Sequence, residues 1–196
     1  SLTEAPFDLI SFVGGTYVLA GTHSDNGDVI YNHGDGDIWL YKISLDGTII
    51  WQNTYGGSAT EMPRQFFKTG DSGFLIFGNT ESPDGDVTGL HGGGDFWLLR
   101  TDSLGNLLWQ KCLGGSCNDR PYQIVEVQSG GYICVGTTCS EDGDISHNHG
   151  AWDAWVVRLS ESGEIIWERT YGGSGHDGGA SITSTTDGGY LIAGAT

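Results

Sequence analysis

The chain has 196 residues and a formal net charge of −17, from 8 basic and 25 acidic side chains. Such a charge repels phosphate backbones and anionic membrane surfaces, so nucleic acid is not an expected partner, and no apolar run reaches the roughly 20 residues that membrane insertion needs. The 34 glycines and the 11% aromatic content are typical of short strands joined by tight turns, and they argue against disorder.

A regular sequence repeat organises the chain. Two sets of tryptophans recur at one constant interval, at positions 39, 97 and 155 and at positions 51, 109 and 167. We interpret the chain as one repeat array with a partial unit (1–14), three repeats (15–72, 73–130 and 131–188) and the start of a fourth (189–196). Because both ends fall inside a repeat, we expect the chain to be a fragment of a larger protein.

Four strand-like runs recur in each repeat, and in the third repeat they cover residues 132–138, 154–160, 164–171 and 180–186. The second and third runs are joined by a tight turn with a glycine, Gly47, Gly105 or Gly163, for which a positive φ is expected. We interpret the four runs as one antiparallel meander. The predicted fold is all-β, a β-propeller-like array of four-stranded blades with the six repeated tryptophans in the core. The remainder of a longer chain, or other copies, would complete the ring.

Four cysteines, Cys112, Cys117, Cys134 and Cys139, lie close together in the sequence. They form two pairs with four residues between partners, and their spacing is not that of a zinc site. Three pairings are possible and the sequence does not select one. Local bridges in an oxidising compartment are favoured over thiols.

A long polar loop follows the first run of each repeat and carries closely spaced aspartates and a histidine. Calcium takes six to eight oxygen ligands, and carboxylates on a glycine-bent loop are a common source of them. The candidate calcium ligands are Asp28, Asp37, Asp84, Asp86, Asp95, Asp142, Asp144 and Asp153. The alternative interpretation is structural: the aspartates cap backbone amides and form Asx turns, and the histidine holds the loop.

Recognisable catalytic motifs are missing from the sequence, and the paired carboxylates recur in each copy, whereas an active site is normally one asymmetric constellation. The repeated histidines, His33, His91 and His149, stand one per repeat, which argues against a shared zinc ion. Trp152 replaces Gly36 and Gly94 of the other copies, so it is the candidate for an exposed ligand contact.

The runs GGYICVG and DGDISHNHGAWDAWVVRLSESGEIIWERTYGGSGHD resemble the tandem repeats of large secreted and surface proteins of Bacteroidota-type bacteria, which often end in a type IX secretion sorting domain. The resemblance covers essentially the whole chain. It implies β-propeller blades and an extracellular or cell-surface location.

These observations favour a non-enzymatic extracellular binding or scaffold module for adhesion, glycan binding or surface display, stabilised by calcium. A protein or glycan on a surface would be the partner. Two alternatives stay open: part of a propeller hydrolase or lyase acting on polysaccharide, and a structural spacer in a surface filament.

Overall fold

A computed structural model describes residues 4–12 and 14–196. Residues 1–3 and 13, which belong to the predicted partial unit 1–14, lie outside the described residues. Throughout the described part, every regular element is a strand. The strands are β1 (Ala5–Phe12), β2 (Gly15–Thr22), β3 (Asp37–Ile43), β4 (Ile49–Tyr55), β5 (Glu61–Lys68), β6 (Phe74–Thr80), β7 (Asp95–Thr101), β8 (Leu107–Leu113), β9 (Asp119–Glu126), β10 (Tyr132–Thr138), β11 (Asp153–Leu159), β12 (Ile165–Tyr171), β13 (Gly178–Ser184) and β14 (Tyr190–Ala195).

The strands form three four-stranded sheets and one two-stranded sheet. Their orders are β1-β2-β3-β4, β5-β6-β7-β8, β9-β10-β11-β12 and β13-β14. The strand pairings are antiparallel, for example Ala20 opposite Trp39 in the first sheet. The all-β prediction is confirmed, and the closure of the sheets into a propeller stays a prediction.

The predicted runs of the third repeat match β10 to β13 within two residues at each end. The turn glycines Gly47, Gly105 and Gly163 have φ of 86°, 80° and 79°, as expected. The grouping of the fourth run with the three before it was wrong. The strand that follows each Gly-Gly-Ser loop pairs with the strand after it, as β5 pairs with β6. Each sheet is therefore offset by one strand from the repeat as we divided it.

The described residues separate into two compact units, one with residues up to 90 and 97–112 and the other with residues 91–96 and 113–196. In the first unit, Phe66, Phe74 and Trp97 belong to one buried apolar cluster with side chains from β2 and β3. In the second unit, Val135 and Val156 are the fully buried centre of another. Each unit thus has its own hydrophobic core.

The two tryptophan sets differ in burial. Trp39, Trp97 and Trp155 are buried, at 6%, 0% and 0% exposure. Each donates its indole N–H to a side chain thirteen residues further on, such as Gln52 for Trp39 at 3.0 Å. The second set, Trp51, Trp109 and Trp167, is only partly buried. Trp51 and Trp167 pack against the edges of the two buried clusters, so the prediction of core tryptophans is confirmed in full only for the first set.

One disulfide, Cys117–Cys139, is present in the second unit, and Cys112 and Cys134 are buried thiols. The bridge links the end of the loop after β8 to the residue after β10. It joins one cysteine from each of the two sequence pairs, a choice that the sequence left open, and two of the four cysteines are oxidised.

In the described part of the chain, no helix has the length and apolar character needed to cross a membrane.

Candidate functional site

The long loop of each sheet ends in a buried aspartate that binds a histidine four residues before it. Asp37 is the first residue of β3 and is fully buried. Its Oδ2 accepts a hydrogen bond from the backbone N–H of His33 at 2.9 Å and lies 2.5 Å from Nδ1 of the same ring. The same pairing recurs in the other repeats, between Asp95 and His91 and between Asp153 and His149.

A second carboxylate is brought close to the buried aspartate by the first strand of the next sheet. Glu61 begins β5, and its backbone N–H donates to the carbonyl of Gly36 at 2.7 Å, directly before Asp37. Its side chain accepts hydrogen bonds from the hydroxyl of Thr80 at 2.7 Å and from the N–H of Gly57 at 2.9 Å. The equivalent backbone and side-chain bonds in the other repeats are made by Asp119 and Asp177.

A glycine allows the two carboxylates to approach. A Cβ at Gly56 would lie 2.4 Å from Oδ1 of Asp37 and 2.4 Å from Oε2 of Glu61, far inside normal contact distance. The first glycine of each Gly-Gly-Ser loop, Gly114 or Gly172, faces the two carboxylates of its own repeat in the same way. Any side chain here would displace a buried carboxylate.

The Asp-Gly-Asp segments bind the Gly-Gly-Ser loop that leads into their own sheet. Oδ1 of Asp84 accepts a hydrogen bond from the N–H of Ser58 at 2.7 Å. Asp86 accepts from the N–H of Gly56 at 3.3 Å, and its own N–H donates to the Gly56 carbonyl at 2.9 Å. In the second unit Asp142 and Asp144 make the equivalent bonds to Ser116 and Gly114. These four aspartates therefore cap backbone amides.

The histidine stands between carboxylates from two sheets. Nε2 of His33 lies 3.7 Å from Oδ2 of Asp86, while its Nδ1 binds Asp37. We refer to these side-chain groups as the first corner (His33, Asp37, Glu61, Asp86), the second corner (His91, Asp95, Asp119, Asp144) and the third corner (His149, Asp153, Asp177). The first corner lies within one compact unit, and the second and third lie within the other.

Burial dominates the electrostatics of the corners. It raises the pKa of Asp37 and of Glu61 above their ordinary values, although hydrogen bonds to each carboxylate oppose the rise. In the second corner, burial raises the pKa of Asp119 to about 6, with hydrogen bonds opposing and the charge of Asp95 adding to the rise. Burial lowers the pKa of His91, but the hydrogen bond and charge of Asp95 outweigh it and the net shift is upward. Each of these groups therefore holds its proton to a higher pH than it would in water.

The structure places the predicted calcium ligands in three different environments. Asp37, Asp95 and Asp153 are fully buried; Asp86 and Asp144 are half-buried; Asp28, Asp84 and Asp142 are exposed. Within residues 4–12 and 14–196, no group of three or more His, Cys, Asp or Glu side chains is arranged to hold a metal ion.

The predicted calcium ligands did not include Glu61, Asp119 and Asp177. The structure brings them to the buried aspartates Asp37, Asp95 and Asp153, each of which begins the strand two places earlier in the chain. The signal that could have identified them is their recurrence after each Gly-Gly-Ser loop at the same interval as the histidines.

A cleft of about 360 Å³ opens beside the first corner, within the first unit. Its lining includes Ile30, Tyr31, His33, Asn53, Asp86 and Asn106. Tyr31 is 57% exposed, and its ring packs edge-on against His33 with centroids 4.6 Å apart. The equivalents of Ile30 and Tyr31 are Thr88 and Gly89 in the second repeat, so this wall of the cleft is not a repeated feature.

Trp152, the predicted ligand contact, is half-buried. The guanidinium of Arg120 lies 4.6 Å from the centre of its ring, a cation–π distance. Its backbone also pairs with His176, as Gly36 pairs with Thr60 in the first repeat. Part of the indole is therefore used inside the protein, and its remaining surface is open to solvent.

The corner geometry can hold a cation or a proton, but it does not assemble a hydrolytic centre. A buried carboxylate that orients an imidazole is one part of a nucleophilic triad. In the first corner, however, Nε2 of that imidazole faces Asp86, a second carboxylate, and not a hydroxyl or a thiol.

No protein-family profile matches the chain, and no match is found among curated proteins.

Proposed function

We propose that the chain is a non-enzymatic extracellular binding and scaffold segment whose four-stranded sheets are blades of a β-propeller. The observation that carries this proposal is the recurrence of one corner in equivalent places in the repeats. An enzyme concentrates unique groups in one site, whereas a repeated constellation serves each repeat in the same way.

The hydrogen bonds of the corners support a scaffold role. Asp84 and Asp86 tie the second sheet to the loop that enters it, and Glu61 bonds back to Gly36 of the first sheet. Such bonds fix adjacent sheets in one register, which a rigid display surface requires.

The extracellular location is supported by chemistry and by the resemblance to secreted Bacteroidota repeat proteins. Disulfides such as Cys117–Cys139 persist in oxidising compartments. The net charge of −17 suits a soluble surface protein with neutral or cationic partners.

We place the binding surface at the cleft beside the first corner and assign it a neutral glycan as ligand. Sugars bind through the faces of aromatic rings and through planar polar side chains, and the cleft offers Tyr31, Asn53 and Asn106. A neutral glycan avoids repulsion from Asp86 and from the acidic surface.

The test is affinity gel electrophoresis of the whole chain in gels that contain neutral polysaccharides, together with a reducing-end assay on the same polysaccharides. We expect retardation without release of reducing ends. The Tyr31→Ala variant should bind about tenfold more weakly, which corresponds to about 1.4 kcal/mol. The matched control is Tyr171→Ala, which removes a 54% exposed tyrosine from the other unit and should bind like the parent.

A polysaccharide hydrolase or lyase is the second candidate, because the oriented imidazole of His33 lines the cleft. Glycoside hydrolysis normally uses two carboxyl groups that flank the bond. Among the described residues that line the cleft, Asp86 is the one carboxylate. Release of reducing ends that His33→Gln abolishes would decide for the enzyme. Equal retardation of Tyr31→Ala and the parent would reject the cleft as the glycan site.

A further inference from the structure

The corners contain buried carboxylate oxygens that their surroundings leave without a hydrogen bond. Among the described residues, these are Oδ1 of Asp37, Asp95, Asp119 and Asp153. Each of these four residues is fully buried. A buried carboxylate oxygen without a partner is costly, and native proteins usually supply a donor, a water or an ion.

The unpartnered oxygens of Asp37 and Asp95 each lie close to an oxygen of a second carboxylate. In the first corner, Oδ1 of Asp37 and Oε2 of Glu61 both lie 2.4 Å from the same point beside Gly56, so their separation is at most twice that distance. In the second corner, Oδ1 of Asp95 and Oδ2 of Asp119 lie 2.6 and 2.7 Å from the equivalent point beside Gly114. Calcium–oxygen distances of about 2.3–2.6 Å allow one ion to bridge carboxylates at such separations.

We propose that the first and second corners each bind one calcium ion between these paired carboxylates, Asp37 with Glu61 and Asp95 with Asp119. Two carboxylates neutralise the charge of one divalent ion. The histidine occupies Oδ2 of the first aspartate and leaves Oδ1 for the ion. Calcium completes its coordination with carbonyl oxygens and water in many sites, so two carboxylates per site suffice, whereas magnesium demands octahedral geometry and keeps most of its water.

The ligand set differs from the one that the sequence suggested. Asp84 and Asp142 are exposed and cap the amides of the Gly-Gly-Ser loops. Glu61 and Asp119 are buried beside the unpartnered oxygens, so they take the place of those two aspartates as ligands. The third corner has the same pair, Asp153 and Asp177, but Asp177 is half-buried and exchanges more readily with water. Its affinity for calcium is therefore the lowest of the three.

The experiment is calcium titration of the chelator-stripped whole chain by calorimetry, with the melting temperature measured in parallel at constant ionic strength. We expect two tight sites per chain, a raised melting temperature with Ca²⁺, and a smaller rise with Mg²⁺. Glu61→Gln and Asp119→Asn should each remove one tight site and leave the other. The control variants Asp46→Asn and Asp187→Asn change exposed turn aspartates and should keep both sites.

The neutral substitutions remove repulsion between buried carboxylates, so these variants are expected to fold. The parent titration tests the proposal without any variant. Absence of calcium heat with an unchanged melting temperature would overturn it, as would equal calcium responses in Asp119→Asn and Asp187→Asn. A stripped protein that gains stability on acidification and ignores calcium would show that the pair holds a proton instead. Because the readout is ion binding and melting, it is independent of the glycan assay.

Discussion

Removal of the Cys117–Cys139 disulfide should lower the free energy of unfolding of the second unit. The length of the loop that the bridge closes sets the size of the loss. Cys117 and Cys139 are 22 residues apart in sequence. Closing a loop of that length lowers the conformational entropy of the unfolded chain by an amount worth about 3 kcal/mol. The first unit supplies the comparison sequence, because Ala59 and Glu81 stand at the equivalent positions.

The double variant Cys117→Ala, Cys139→Glu therefore copies the equivalent residues of the first unit, which have no bridge between them. One hydrogen bond next to these positions is made in both units. The N–H of Ala59 donates to Ser82 at 2.9 Å, and the N–H of Cys117 donates to Ser140 at 3.0 Å. The substitution thus removes the covalent link and the contact of the Cys139 sulfur with Asn118, and it keeps the hydrogen bond between residue 117 and Ser140.

The assay is native-state hydrogen exchange of the amides of β10, which report on the second unit, with β6 amides as the internal reference for the first. We expect the free energy of opening of β10 to fall by about 3 kcal/mol in the double variant and that of β6 to stay unchanged. Parent protein treated with a reductant should show the same fall. A loss below about 0.5 kcal/mol in β10, or an equal loss in both strands, would refute the loop-entropy argument.

Three further outcomes are expected. Gly114→Ala drives a methyl group into two buried carboxylates and should cost about 1–3 kcal/mol in urea unfolding, whereas Gly175→Ala, with no atom within 4 Å, should be near neutral; equal losses would contradict the steric argument. Hydrogen bonds, first from the Thr69 hydroxyl, lower the pKa of Asp71 to about 2, so its contribution to stability is complete above about pH 4 and is lost as the pH falls toward 2. Melting curves from pH 5 to pH 2 should therefore be less acid-sensitive in Asp71→Asn, and parallel curves would disprove this. Burial raises the pKa of the Cys134 thiol far above its ordinary range, so it should react with a thiol reagent at pH 8 only after unfolding, and immediate labelling would contradict its burial.

Strand positions were predictable because alternating apolar residues between glycine-rich turns are local signals. Strand grouping was not, because a sequence period has no intrinsic starting point. The deciding feature was the short turn between β5 and β6, in which the N–H of Thr69 donates to the carbonyl of Gly73 at 2.9 Å. The Gly-Gly-Ser loop between β4 and β5 is equally long, five residues, but the N–H of its Ser58 donates to Asp84 of the next sheet, so loop length alone does not reveal the grouping.

The repeat pattern also could not predict that the second tryptophan set is only partly buried. Periodicity shows that a residue has the same environment in each copy, but it does not show whether that environment is buried. Trp51 and Trp39 are equally periodic, yet only Trp39 has its indole N–H satisfied by a side chain inside the sheet.

The sequence could predict the contact within one loop of the first corner, but it could not predict the approach of a carboxylate from the next sheet. The link between His33 and Asp37 is local and follows from a spacing of four residues. The approach of Glu61 depends on backbone bonds between residues 59–61 and residues 35–36, which are distant in the sequence, and no local pattern encodes such bonds. The aspartates of the Asp-Gly-Asp segments cap amides as the structural interpretation predicted, while their role as calcium ligands stays a prediction.

Buried residues that recur in the repeats and exposed residues that occur in one copy only have different expected roles. The first contribute to stability, and the second are candidates for ligand recognition. Recurring side chains such as Asp37, Asp95 and Asp153 are buried and make the same contact with a histidine in each copy, so a change there acts on folding. Side chains that break the repeat, such as Tyr31 and Trp152, keep exposed surface next to a corner. Because a scaffold gains nothing from an exposed aromatic side chain in one copy alone, these exceptions are the positions at which a ligand should be sought first.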